Sequence, residues 1–355
     1  MDSTKSNGDD AAPKTNFVDV LDRRCLEKIR LVVGESEDRK RADLCNILAS
    51  MGFTKVSSHK NLDTIRANIA ENLADFVICS LDIEGKDFLS MIRDVRRQKT
   101  GENPFLFISC IVNSQDPEVV RACVDSGADD LIISPLSAAT VSSRVAKLTR
   151  HRKPFVVTRD YIGPDRQQTS RGGEAIPGLE APNIYRYLKD GSRGKGFFES
   201  IVKKGAAILK ERWAERQAIQ VAYLIERRLA ILTEGASRTD EITKPDIDFF
   251  SVAMQAAQSS LVGTRYSRED KMLNIVSEAM TRVCASPPPD PQDLATLKML
   301  AQMLRKTFAG EPPVRSGKSN PGVDKPRLVP DRSAREIEWR YLDPTLRGVR
   351  AGCWS

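Results

Sequence analysis

Thiols and imidazoles are the side chains most able to do chemistry on their own, and their spacing here argues against it. The seven cysteines (Cys25, Cys45, Cys79, Cys110, Cys123, Cys284 and Cys353) form no CxxC pair, so neither a zinc site nor a disulfide framework is indicated. Several stand inside apolar runs, where a free cysteine behaves as a small buried hydrophobe. The two histidines, His59 and His151, lie beside basic residues and are expected on loops or at the surface. No histidine follows His151, so the C-terminal half lacks the nucleophile that a phosphotransfer helix must expose. There is no GxGxxG after a strand, no Walker loop and no Ser-His-Asp set. Enzymatic activity, a bound cofactor and a metal site are therefore not expected.

The chain that carries these residues has 355 positions, of which 40% are hydrophobic, enough for two domains of ordinary size. Its first residues, MDSTKSNGDDAAPKTN, lack the apolar stretch of a signal peptide, and no run approaches the roughly 18 apolar residues of a membrane span. A soluble, cytoplasmic protein with no membrane partner is expected. The net charge of +7 is unevenly spread, with 21 Lys+Arg against 23 Asp+Glu in residues 1–150 and 34 against 25 in the remainder. Without interleaved aromatics or a reading motif, such a basic excess reads as a solvated surface, and nucleic acid is not the expected partner. The alternative reading, a DNA-associated regulator using the basic C-terminal half, requires a helix-turn-helix that is not evident.

From Ile29 the sequence alternates short β-branched runs with amphipathic stretches, the signature of a parallel sheet covered by helices. The strands are expected at Ile29–Val33, Lys55–Ser58, Asp75–Ser80, Phe105–Cys110 and Asp130–Ser134. Helices are expected at Arg39–Met51 (stopped by Gly52), Asn61–Asn72, Asp87–Gln98, Pro117–Gly127 and Ser137–Arg150. Five such units predict an α/β, flavodoxin-like (βα)5 domain whose functional loops lie at the carboxyl ends of the strands.

At this point the residues resemble a known family. GADDLIISPL (Gly127–Leu136) is similar to the strand-five segment of response-regulator receiver domains, and SLDIEGKDF (Ser80–Phe88) to the loop after their third strand. The resemblance covers residues 28–150. It implies a phosphorylation site, and it places that site on altered residues. Gly34 and Glu35 occupy the positions of the paired acids that hold magnesium. Ser80 falls at the phosphoacceptor aspartate, Ser134 at the conserved lysine and Leu131 at the aromatic switch residue, while Pro135 matches the cis-proline and Ser109 the hydroxyl at the end of strand four. Asp82, two residues beyond Ser80, is the alternative phosphoacceptor. With one metal carboxylate, the acceptor, the lysine and the aromatic all replaced, a degenerate, phosphorylation-independent member is implied.

Residues 1–26 are expected to be a disordered tail, 27–150 the degenerate receiver domain, and 151–196 a linker containing DYIGPDR (Asp160–Arg166). That segment is similar to one found after receiver-like domains in some bacterial signalling proteins, where a Pro-Asn pair such as Pro182-Asn183 follows. Residues 197–310 read as an all-α region. Its apolar stripe over Phe197–Leu232 predicts one long helix or two in series, followed by helices starting near Pro245, after a Ser267/Asp270 capping box, and at Asp290. Residues 311–355 are expected to be mostly disordered. The combined expectation is a two-component-type adaptor or regulator acting by protein–protein contacts. Its partner would be a kinase or another regulator, and its helical region would form a homo-oligomer.

Overall fold

The computed structural model describes residues 21–85, 87–166, 178–191, 195–233, 244–285 and 289–309. A single helical turn, α1 (Arg23–Leu26), precedes five βα units. These are β1 (Arg30–Gly34), α2 (Asp38–Met51), β2 (Lys55–His59), α3 (Leu62–Ala70), β3 (Phe76–Ser80), α4 (Phe88–Arg96), β4 (Phe107–Val112), α5 (Pro117–Asp125), β5 (Asp130–Ile133) and α6 (Ala138–Arg150). All pairings in this sheet are parallel, in the order β2-β1-β3-β4-β5. The continuous apolar runs of β3 and β4 are buried at every position because helices cover both faces. One core layer holds Leu31, Val33, Leu44, Phe76 and Val145, and the opposite layer holds Val32, Ile65, Val77, Met91 and Ile108. Local signals set the helix ends. Asn61 and Ser137 accept N–H groups of α3 and α6, Asp116 caps α5 before Pro117, and Gly52 stops α2 at φ +112°.

Three sequence expectations change here. Residues 21–26 are not tail, because Leu21, Cys25 and Leu26 are buried in the first core layer. The fourth strand starts at Phe107, not Phe105. Phe105 is turned below the sheet instead, its ring 5.3 Å from that of Phe155. The third change concerns the linker. Within 151–196, the described residues form a hairpin, β6 (Phe155–Val157) and β7 (Ile162–Pro164), and a short helix α7 (Ile184–Lys189). All of these dock on the α/β unit.

A buried carboxylate draws that docking together at the base of the sheet. Asp129 Oδ2 accepts Arg96 Nη2 at 2.7 Å and the Ile108 N–H at 2.9 Å, while Oδ1 accepts Arg152 Nη2 at 3.1 Å. Arg96 also donates to the carbonyls of Gly127, Pro104 and Leu106 at 2.7–2.8 Å. Arg152 lies over the Phe107 ring at 3.9 Å and donates to Pro182 O at 2.6 Å. Its burial depresses its pKa to about 10 against the pull of Asp129, so it remains a cation at neutral pH. The DYIGPDR segment completes the contact. Ile162 enters the base core, Tyr161 Oη donates to Pro164 O at 2.8 Å, and Arg166 donates to Ala128 O at 2.6 Å. A Cβ on Gly163 would lie 2.8 Å from Gly127 Cα, and one on Gly127 2.4 Å from Ile162 O, so two glycines permit backbone-to-backbone approach. Asn183 caps α7 and donates to Thr149 O at 2.6 Å, tying the Pro-Asn pair to the end of α6.

The helical region follows directly. Helix α8 (Lys195–Thr233) is one unbroken helix of 39 residues. With α9 (Lys244–Leu261), α10 (Asp270–Ala285) and α11 (Pro291–Thr307) it encloses a core of Ala218, Ile225, Met254, Leu273, Val276 and Leu300. The expected Ser267 capping box does not form. A 3-10 turn (Ser267–Glu269) precedes α10, and Ser267 Oγ lies 2.7 Å from Thr264 O and 3.0 Å from Leu261 O. No described helix is long and apolar enough to cross a membrane. The expected tail at 311–355 lies outside the described residues.

Removing the central carboxylate leaves two buried guanidinium groups without their shared counterion. Asp129→Ala is expected to cost about 3–5 kcal/mol, read as a lowered urea midpoint for the α/β unit. A midpoint unchanged from the parent protein would contradict this account of the base.

Candidate functional site

In an open parallel sheet the reactive edge is at the carboxyl ends of the strands. Gly34 pairs with Cys79, Ser80 with Ile111, and Val112 with Ile133, which brings the ends of β1, β3, β4 and β5 side by side. Gly34, Glu35, Ser80, Ser134 and Pro135 all belong to this edge. Ser109 does not. It sits three residues below Val112, between Ile78 and Asp130, and is buried. A hydroxyl of Ser109 at the end of strand four requires that strand to stop at Cys110; β4 runs two residues further, and Val112 stands at its end.

At Gly34 the local packing is decisive. A Cβ there would lie 2.5 Å from Cys79 Sγ, 2.5 Å from Ile65 Cδ1 and 2.8 Å from Ile83 Cδ1, so the volume that a side chain would take is filled by apolar groups. Burial pushes the Cys79 thiol well above its usual range, which keeps it neutral. Glu35 is itself only 7% exposed, and its Oε1 accepts the Glu37 N–H at 3.0 Å. Ser80 is 1% exposed, with Oγ accepting the Asp82 N–H at 3.3 Å. Asp82 stands two residues past the strand end, exposed, its carboxylate accepting from Asn113 Nδ2. Leu131 packs against the second core layer, Ser134 donates its N–H to Val112 O at 2.8 Å, and the Ser134–Pro135 peptide is cis.

Ser36, which the sequence did not single out, ties the loops of this edge together. Its hydroxyl accepts the Glu84 N–H at 2.7 Å and lies within 3.3 Å of the carbonyls of Lys60 and Asp82. Leu62 N–H in turn donates to Glu84 O at 2.8 Å. The loops after β1, β2 and β3 are thus bonded to one another. Arg41 reinforces them by donating to Glu35 O at 2.9 Å. A serine within GES carries no signal of this role, because its partners come from loops 24 and 48 residues away.

The strand order, the covering helices and the loop edge together match one architecture. Residues 30–150 have the flavodoxin-like (βα)5 fold, one that response-regulator receiver domains also have. No family model matches the chain. A cyclic di-GMP phosphodiesterase of Thermotoga maritima is 20% identical over 132 residues, 37% of this chain, and the chain spans only about a third (34%) of that relative's length. Among solved structures, the signal receiver domain of a response regulator from Bermanella marisrubri matches with 20% identity and a TM-score of 0.31, covering 34% of this chain and 98% of that one. The signal receiver domain of a histidine kinase from Syntrophus aciditrophicus matches with 18% identity and a TM-score of 0.31, covering 34% of this chain and 89% of that one.

Receivers hold magnesium with carboxylates at this edge, and the residues of the receiver-like domain do not fit such an ion. The first acidic position has no room for a side chain, and Glu35 is already engaged by a backbone N–H. Among the described residues no group of three or more His, Cys, Asp or Glu side chains could hold a metal.

The same packing predicts how this edge responds to repair. Gly34→Ala is expected to lose about 1–3 kcal/mol through overpacking, and Gly34→Asp more, because a carboxylate would be desolvated among Cys79, Ile65 and Ile83. Thermal melts of the two variants check this. A Gly34→Asp protein as stable as its parent would show that the apolar filling yields easily.

Proposed function

We propose that this chain is a phosphorylation-independent, receiver-like adaptor or regulator of bacterial two-component-type signalling, working through protein–protein contacts with a kinase or another regulator. The observation that carries the reading is the apolar filling at Gly34. Phosphoryl transfer to a receiver needs a metal ion to neutralise charge between acceptor and donor, and a lone, partly engaged Glu35 holds such an ion weakly. Ser80 supplies a buried hydroxyl that cannot form an acyl phosphate, and Ser134 supplies no fixed positive charge. The bonded loops around Ser36 favour one standing conformation for a partner to read. No catalytic role is assigned to the chain.

The helical region is proposed to self-associate. In the apolar stripe of α8, Phe198 and Trp213 are partly taken up by packing against the base of the receiver-like domain. The motive passes instead to Phe249 and Val252 of α9, Ile275 of α10, and Met299 and Met303 of α11, which are 40–53% exposed. Light scattering on the full chain at tens of micromolar, an ordinary working concentration, should give a dimer or higher species; a monomer overturns the self-association.

Incubation with acetyl phosphate and magnesium, followed by intact mass, tests the main reading. The expected spectrum is that of the unmodified chain. A hydroxylamine-labile phosphoryl adduct that disappears in Asp82→Ala would place the acceptor at Asp82 and refute phosphorylation independence.

A further inference from the structure

We infer that α8 is a rigid strut that locks the receiver-like domain and the helical bundle into a single body, with no hinge between them. The inference is independent of whether the domain is phosphorylated.

A hinge needs a stretch of chain that neither side holds, and α8 has none. From the receiver side, Gln98 Nε2 donates to Ala206 O at 3.0 Å, and Phe105 approaches Gly205 so closely that a Cβ there would lie 2.9 Å from the ring. The grip continues along the helix. Arg97 lies over the Trp213 ring at 5.0 Å, and Gln217 Nε2 donates to Arg159 O in the hairpin turn at 2.7 Å. From the bundle side, Arg265 reaches back to Glu211 at 3.7 Å and to Glu215 at 3.0 Å, and Tyr266 Oη donates to Glu215 at 2.7 Å. The bundle therefore already holds Glu211, while the receiver side still holds Gln217. The two grips overlap over more than one helical turn.

Burial follows the same handover. Val202, Ala206 and Leu209 belong to the core at the receiver base, whereas Ala214, Ala218 and Val221 belong to the bundle core. Gln217 is 7% exposed between them. Small alanines on the bundle-facing side let α8 lie close to its neighbours, and no proline or glycine follows Gly205 within the helix, so no intrinsic kink site is available. At 39 residues the strut is about 58 Å long. Surfaces on the receiver-like domain and on the bundle consequently stand at a fixed distance and angle, and a partner touching both is selected by that geometry.

Residual dipolar couplings measured on the full chain test this. Amides of α2–α6 and of α9–α11 are expected to fit one alignment tensor; two tensors of different magnitude would overturn the inference. Insertion of three glycines between Glu211 and Arg212 should abolish the common alignment, and its persistence would show that α8 is not the locking element. If the insertion variant fails to fold, the parent chain decides alone, since it must still give one tensor or two.

Discussion

The structure depends on one carboxylate. Asp129 sits where β5 leaves the Gly127 turn, and its two oxygens collect a guanidinium from α4, a guanidinium from beyond α6 and a backbone N–H of β4. With side-chain exposures of 1% for Arg96 and Asp129 and 4% for Arg152, these charges are withdrawn from water. Such burial is tolerated only when most donors are matched, and here the guanidinium hydrogens of Arg96 go to the carbonyls of Gly127, Pro104 and Leu106 and one of Arg152 to Pro182, while Arg152 Nε is buried without a partner. The clamp fixes the base of the sheet, the hairpin and the start of α7 in one network. Described residues that follow α6, among them Phe155, Ile162, Ala181 and Val202 of α8, pack on this base.

The two ends of the sheet have been put to different use. At the carboxyl edge, where a parallel sheet ordinarily gathers polar reactive groups, the interior beneath Gly34 is apolar and the loops are bonded to each other through Ser36. At the opposite end lie the densest buried charges and the close glycine contacts. Arg166 and Gly163 of the hairpin both meet the Gly127–Asp129 turn, so a segment whose composition suggests a loop is built as a strand against the domain. Recruitment of α8 follows, because Phe105, diverted below β4, offers it an aromatic surface shared with Phe155.

The bundle is held differently. Its core is dominated by alanine and leucine, and its charged pairs are peripheral: Arg305 forks onto Glu226 with both bonds at 2.6 Å, and Arg282 reaches Asp293 at 3.0 Å. Half-exposed pairs of this kind contribute little stability. Apolar packing along α8 carries the assembly, which explains why one helix can serve two cores.

Periodicity in the sequence determined the five βα units, a helical stripe over 197–232 that left one helix or two open, and the three helices that follow, because alternation and 3.6-residue spacing are local consequences of which face is buried. The residue types at Gly34, Ser80, Leu131 and Ser134, on which the proposed independence of phosphorylation rests, were also legible, since a residue type needs no coordinates. Other features were beyond its reach. Ser109 lies mid-strand because β4 runs on to Val112, held by pairing of Ile111 with Ser80 and of Val112 with Ile133, and nothing within FLFISC encodes those partners. The Asp129 clamp, the loop bonds of Ser36 and the docking of DYIGPDR likewise join residues far apart in the chain. Hydrogen bonds and ion pairs over such separations have no periodic trace, so only the tertiary structure decided that the presumed linker is part of the fold and that the acidic pocket is filled.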